Sequence, residues 1–142
     1  MGGGVAERRR VETVNREIQP SSIAPPAANY AHAVLSENPG NILHVSGQVA
    51  ARPDGSIPDD VGDQAVVIWS NITEILAAAD MQISDIVSIT TYVVVDFMAC
   101  LPEVMAARDH AMNGHRAAST LVAVPALARP AWKMEVAVVA AR

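Results

Sequence analysis

The chain has 142 residues, of which 51% are hydrophobic, 4% aromatic and 18% charged, and its net charge is −5. That length holds one domain with a core of its own, built here from Ala, Val, Ile and Leu. The acidic balance argues against a phosphate-backbone partner, so no nucleic acid is expected. No run approaches the roughly 18 apolar residues of a membrane span, so no membrane is expected either. The single cysteine, Cys100, excludes an internal disulfide and fits a cytoplasmic protein. Mean hydropathy is +0.22. So much aliphatic surface in a short chain predicts a buried interface between subunits, with a well-filled monomer core as the other reading.

Residues 1–4 read as disordered, and residues 5–17 (VAERRRVETVNRE) predict a short charged helix with Arg8, Arg9 and Arg10 on its solvated face. The start MGGGVAERRR lacks the apolar stretch of a signal peptide. Residues 1–19 are therefore expected to be an N-terminal extension, ahead of a single domain over 20–142. Pro20, Pro25 and Pro26 make residues 18–29 an extended lead-in. Ala31–Ser36 and Asn41–Gln48 predict two strands joined by the turn Glu37-Asn38-Pro39-Gly40. From Asp60 to Asp80 the apolar residues Val61, Ala65, Ile68, Trp69, Ile72, Leu76 and Ala79 step by three or four, the stripe of an amphipathic helix. Acids at Asp59 and Asp60 suit the positive end of its dipole.

Ile86–Val95 is rich in β-branched residues and predicts a strand. Val87, Ile89, Thr91, Val93 and Val95 should face helices, and Ser88, Thr90 and Tyr92 a semi-polar surface. Pro102–Met112 predicts a second helix, with Leu101, Val104, Met105 and Met112 buried. Ser119–Val124 and Lys133–Ala140 predict the last strands, separated by a segment that Pro125 and Pro130 hold open. The order β-β-α-β-α-β-β makes an α+β fold, a mixed sheet with two helices on one face and the other face bare.

Several motifs resemble those of the Rid (YjgF-type, reactive-intermediate deaminase) family, over roughly residues 20–140. Leu43-His44-Val45-Ser46-Gly47-Gln48 is similar to that family's Val-Tyr-x-Ser-Gly-Gln strand. Asn29-Tyr30-Ala31-His32-Ala33 resembles Pro-Tyr-Ser-Gln-Ala, and Asp85-Ile86-Val87-Ser88-Ile89-Thr90 resembles Asp-Val-Val-Lys-x-Thr. Ala117-Ala118-Ser119-Thr120 stands in the frame of Ala-Arg-Ser-Thr/Cys, and Met134-Glu135-Val136-Ala137 in that of the closing Val-Glu-Ile-Glu.

The resemblance implies a chorismate-mutase-like fold, a homotrimer and a small-molecule cleft between subunits. It also implies hydrolysis of an imine or enamine to a carbonyl compound and ammonia, with no metal or organic cofactor. Position by position, Tyr30 matches the cleft tyrosine, Gly47 (beside Ser46) the backbone contact and Thr120 the small polar residue that holds water or substrate. Ala118 stands where the carboxylate-binding arginine is expected, Ala137 where the closing-strand glutamate is, and Leu101 where many members have a ligand-facing asparagine. These departures argue against the standard 2-imino acids, because a guanidinium is the best partner for a carboxylate. The alternative is a trimer that binds a metabolite or a partner without catalysis.

Strand geometry offers a replacement, because side chains at i and i+2 share a face. Arg116 would then point the same way as Ala118, as a carboxylate anchor, while the other reading is a surface arginine. Glu135 likewise shares a face with Ala137. His32 reads equally as structural or as cleft-lining. His110 and His115 lack a third metal ligand and read as solvated. Trp69 reads as core, and Trp132 as packing or as the wall of a pocket.

Overall fold

The computed structural model describes residues 14–142. Six strands and two helices occur in the order β1 (Val14–Ile18), β2 (Ala33–Glu37), β3 (Ile42–Gln48), α1 (Val61–Ala78), β4 (Ile86–Val94), α2 (Leu101–Met112), β5 (Ala118–Val124) and β6 (Met134–Ala141). The main sheet has the order β3-β6-β4-β5, with β4 and β5 parallel and the other neighbours antiparallel. β1 and β2 form a separate antiparallel pair. The predicted α+β class holds, with both helices against one face of a mixed sheet.

The β1 strand corrects the expected N-terminal helix over its last residues: Val14–Ile18 pairs with Ala33–Glu37. Residues 5–13 of that expectation lie outside the described residues. The Glu37–Gly40 turn does not close a hairpin, because β2 pairs with β1 whereas β3 pairs with β6. Asn38 takes the left-handed backbone (φ 49°) that this turn needs. The β1–β2 pair is tied to one end of the main sheet. Asn15 Nδ2 donates to the Ala141 carbonyl (2.8 Å), and Ala31 bridges Ala118.

α1 starts as its sequence predicts. Asp60 caps it, accepting a hydrogen bond from the Asp63 amide at 2.9 Å. It stops at Ala78, two residues before the predicted Asp80. Asp80 turns left-handed (φ 56°), and the amides of Asp80 and Met81 bond back to the carbonyls of Ala77 and Leu76. That is a Schellman stop, with Met81 folded under it against the core. Ala79 is therefore exposed and leaves the predicted stripe, while Val61, Ala65, Ile68, Trp69, Ile72 and Leu76 are buried.

The stripe meets the sheet on strict alternation. Along β6, Met134, Val136, Val138 and Ala140 are buried, while Glu135, Ala137 and Val139 are half-buried on the far side. On β4, Ile89, Thr91 and Val93 face the helices as expected. Val87 and Val95 do not. A register shift between Ile86 and Ser88 sends Ile86 into the core instead, and Val95 leaves the strand as an exposed residue of a short 3-10 turn over Val95–Cys100. On α2, Leu101 and Met105 are only half-buried; Val104, Arg108 and Met112 form the buried row. Arg108 is tolerated there because its guanidinium reaches Asp109 (3.0 Å) at the rim of the core.

One buried polar residue, Gln64, organises the approach to β6. Its amide nitrogen donates to the carbonyls of Pro58 (2.8 Å) and Ala131 (2.9 Å), and its oxygen accepts from the Lys133 amide (3.1 Å). The start of α1 is thereby fixed to the segment preceding the last strand. Gln64→Leu removes these bonds and leaves main-chain groups unpaired beside the core. The expected loss is about 3 kcal/mol of unfolding free energy, read as a lower denaturation midpoint with an unchanged slope.

Candidate functional site

The face of the sheet opposite the helices is covered by no element among the described residues, and the strand register says which side chains meet on it. Glu135, Tyr92 and Val122 form one row across β6, β4 and β5. Ala137, Thr90 and Thr120 form the next, and His44, Val139, Ser88 and Ala118 the third, with β3 joining at His44. All are half-buried or exposed. A depression of about 110 Å³ lies among His44, Ser88, Thr90, Ala137 and Val139. The face is thus built from small side chains with hydroxyls between them, a surface that water or a small polar ligand can wet.

Gly47 and Glu135 form the tightest feature of this face. Ser46 and Gly47 occupy a register irregularity in β3 between Val45 and Gln48. There the Glu135 side chain crosses directly over Gly47. A Cβ built on Gly47 would overlap the Glu135 carboxylate and lie 2.5 Å from its Cδ. Only glycine leaves room for that carboxylate. Glu135 has no ion-pair partner among the described residues, so its oxygens remain free to accept protons or hydrogen bonds.

The remaining candidates lie on the other side of β4. Tyr30 is half-buried beside the Ala31–Ala118 bridge, and its hydroxyl accepts a long hydrogen bond from the Ala27 amide (3.3 Å). Thr120 is exposed on the edge strand β5. Ala117 points into the core, so Arg116 and Ala118 point away from it, as the strand argument expects. The Arg116 guanidinium is already occupied. Its Nε and Nη2 donate to the two carboxylate oxygens of Glu17 on β1, at 3.1 and 2.7 Å. This pairing holds the guanidinium still more firmly protonated than usual, first through the hydrogen bonds and then through the charge of Glu17.

Two groups therefore emerge: Ser46, Gly47 and Glu135 near β3 and β6, and Tyr30, Arg116, Ala118 and Thr120 along β5. Two strand spacings separate β6 from β5, roughly 10 Å. Leu101 opens α2 past the end of β4 and joins neither group. His32 serves the fold, since its ring nitrogen bonds the Ala24 carbonyl at 2.6 Å and its amide bonds Gln19. His115 bonds the Ile86 carbonyl (2.7 Å). No cluster among the described residues has the His, Cys, Asp and Glu side chains to hold a metal ion. Sequence reasoning missed Glu17, which fell inside the expected helix. It also missed the reason for Gly47, although a glycine inside a strand is itself a sign of close approach.

A mixed sheet with helices on one side and a hydroxyl-rich face on the other defines a small α+β protein of two layers. Residues 21–142 match the endoribonuclease L-PSP family, and the chain belongs to this family, also called Rid or YjgF. Its fold is similar to that of YyfB, a Rid-family protein of unknown function from Yersinia pestis. The TM-score is 0.82 at 30% identity, over 90% of this chain and 98% of that one. It is similar to Escherichia coli TdcF, solved with bound serine, at a TM-score of 0.63 and 27% identity, over 87% of this chain and 93% of that one. A stretch of 83 residues is 34% identical to the 2-iminobutanoate/2-iminopropanoate deaminase of Escherichia coli, covering 58% of this chain and 59% of that enzyme. The chain thus spans a little over half the length of the curated relatives it matches. No helix among the described residues is long and apolar enough to cross a membrane.

The overlap at Gly47 predicts a non-additive pair. Gly47→Ala should cost about 1 kcal/mol, by pushing aside a flexible side chain. The same change in a Glu135→Ala background should cost close to nothing, because the obstacle is gone. Thermal or denaturant unfolding of the four variants measures the coupling.

Proposed function

We propose that this protein is a cytoplasmic homotrimeric hydrolase of C=N bonds, converting a small imine or enamine to a carbonyl compound and ammonia in clefts between subunits. The observation that carries the reading is the unpaired Glu135 carboxylate lying across Gly47 on an uncovered, hydroxyl-rich face. The similarity to a 2-iminobutanoate/2-iminopropanoate deaminase supports it. So does the division of the candidates by β4, because a second copy can bring its β5 edge to the Glu135 side of the first.

In this mechanism Glu135 takes a proton from a water molecule as the water oxygen bonds to the imine carbon. The C=N π electrons move to nitrogen, which takes the proton now held by Glu135 and gives a carbinolamine. The carbinolamine's hydroxyl proton then passes through Glu135 to the amino nitrogen, the C–N bond breaks as the C=O bond forms, and ammonia departs. The Gly47 backbone bonds the imine nitrogen, the Thr120 hydroxyl orients water or substrate, and Tyr30 closes the cleft from the β5 side. No metal or organic cofactor takes part.

Ala118 and Ala137 narrow the substrate class. Neither side chain can hold a carboxylate, and Arg116 must leave Glu17 before it can do so. A lost hydrogen bond to a charged group is worth about 1.5–3 kcal/mol, so 2-imino acids should be poor substrates and less anionic imines better ones. The same two alanines favour a second reading, in which the trimer binds a metabolite or a partner without turning anything over.

Ammonia release from 2-iminobutanoate generated in situ and from an uncharged imine separates the readings. Wild type should act on the uncharged imine and only slowly on the acid. Ala118→Arg should raise kcat/KM for the acid by about tenfold or more. Glu135→Gln should lower kcat by about 10²-fold or more on either substrate. Wild-type rates no faster than those of Glu135→Gln would favour the binding reading, and a monomer by light scattering would remove the shared cleft.

A further inference from the structure

Beyond the open face, a cavity of about 470 Å³ lies at the C-terminal ends of β4 and β5, under the segment 125–130 and against Val94, Phe97 and Trp132. It shares no lining residue with the depression on the open face. Its size falls in the range of small-molecule sites. Its walls are chiefly apolar, and its charged residues are Arg129 and Asp96.

Arg129 is held in place although it is exposed. Its guanidinium carbon lies 5.3 Å from the centre of the Trp132 ring, and the Trp132 amide bonds the Arg129 carbonyl at 3.1 Å. A tight turn therefore sets the arginine over the indole. That turn is anchored at once on its far side by buried Gln64, which bonds Ala131 and Lys133. The other aromatic wall is similarly engaged: Lys133 Nζ stands 4.9 Å from the centre of the Phe97 ring while donating to the Asp59 carbonyl. Pro125 and Pro130 restrict the segment between. Arg129 forms no ion pair among the described residues, although Asp96 lines the same cavity.

We propose that this cavity is a binding site for a small monocarboxylate with an aliphatic tail, its carboxylate held by Arg129 and its tail by Phe97, Trp132 and the 125–130 segment. A stacked guanidinium keeps its outer N–H fork free for bidentate pairing, and stacking removes much of the ordering cost of binding. One guanidinium beside one carboxylate suits a single negative charge; a dianion or phosphate would meet Asp96. The site stands independently of catalysis at Glu135, since binding is its readout.

The test uses the full chain and the probe 3-methylbutanoate, with the isosteric 3-methylbutanamide as its uncharged counterpart. Binding is followed by the indole N–H signals of Trp132 and Trp69, assigned with Trp132→Phe. The acid should shift the Trp132 signal saturably and leave that of buried Trp69 in place. The amide should bind about tenfold or more weakly. Arg129→Gln should lose the preference for the acid, Arg129→Lys should keep part of it, and both should melt like wild type because the side chain is exposed. Equal binding of acid and amide, an acid preference that survives Arg129→Gln, or a silent Trp132 at millimolar acid would each overturn the site.

Discussion

Everything in this molecule depends on the two faces of β4 and β6 having opposite fates. These are the two inner strands of the main sheet, and they pair over most of their length. Burying Met134, Val136, Val138, Ile89 and Val93 against α1 and α2 supplies the main apolar driving force, on the order of 1.5–3 kcal/mol for each such side chain. The period of two then obliges Glu135, Ala137, Ser88, Thr90 and Tyr92 to stand on the far side. A slip of one residue would put Glu135 in the core and Val136 in water. The register that stabilises the fold is therefore the register that displays the candidate site.

This coupling explains why so much of the fold was legible. The stripe from Val61 to Leu76 and the β-branched run from Ile86 carry their burial pattern in their own periodicity. The features that escaped are those whose state is decided by something distant. Val14–Ile18, with charged residues between its apolar ends, has no local reason to be a strand; pairing with β2 makes it one. Asp80 ends α1 in a left-handed conformation usually given to glycine. Arg108 sits in a buried row because Asp109 meets its charge at the rim, and Gln64 is buried because three main-chain groups converge on it.

The candidate site was legible in its residue types but not in its arrangement. Ser46, Gly47, Thr120 and Glu135 could be picked out by their motifs, and strand parity put Glu135 with Ala137 and Arg116 with Ala118. Nothing in one dimension says that β4 runs between the two groups. The parallel pairing of β4 with β5 does that, and it follows from the crossover through α2 rather than from either strand alone. Nor does sequence parity reveal that Glu17 already holds Arg116, because the two residues are 99 positions apart.

The charges on this chain show a consistent pattern around the proposed cleft. Ala118 and Ala137 bring no charge to the open face, and Arg116 is neutralised by Glu17 at its border. Among the described residues, Glu135 is left without a cation paired to it. A free carboxylate repels an anionic ligand but stabilises positive charge as it develops, for example on an imine nitrogen being protonated. Meanwhile the guanidinium of Arg129 lies over Trp132 in a cavity that shares no lining residue with the depression on this face. On the proposed function, a cleft with a base and no anion anchor would be selective by subtraction: it would give up affinity for carboxylates, which a single restored guanidinium would return.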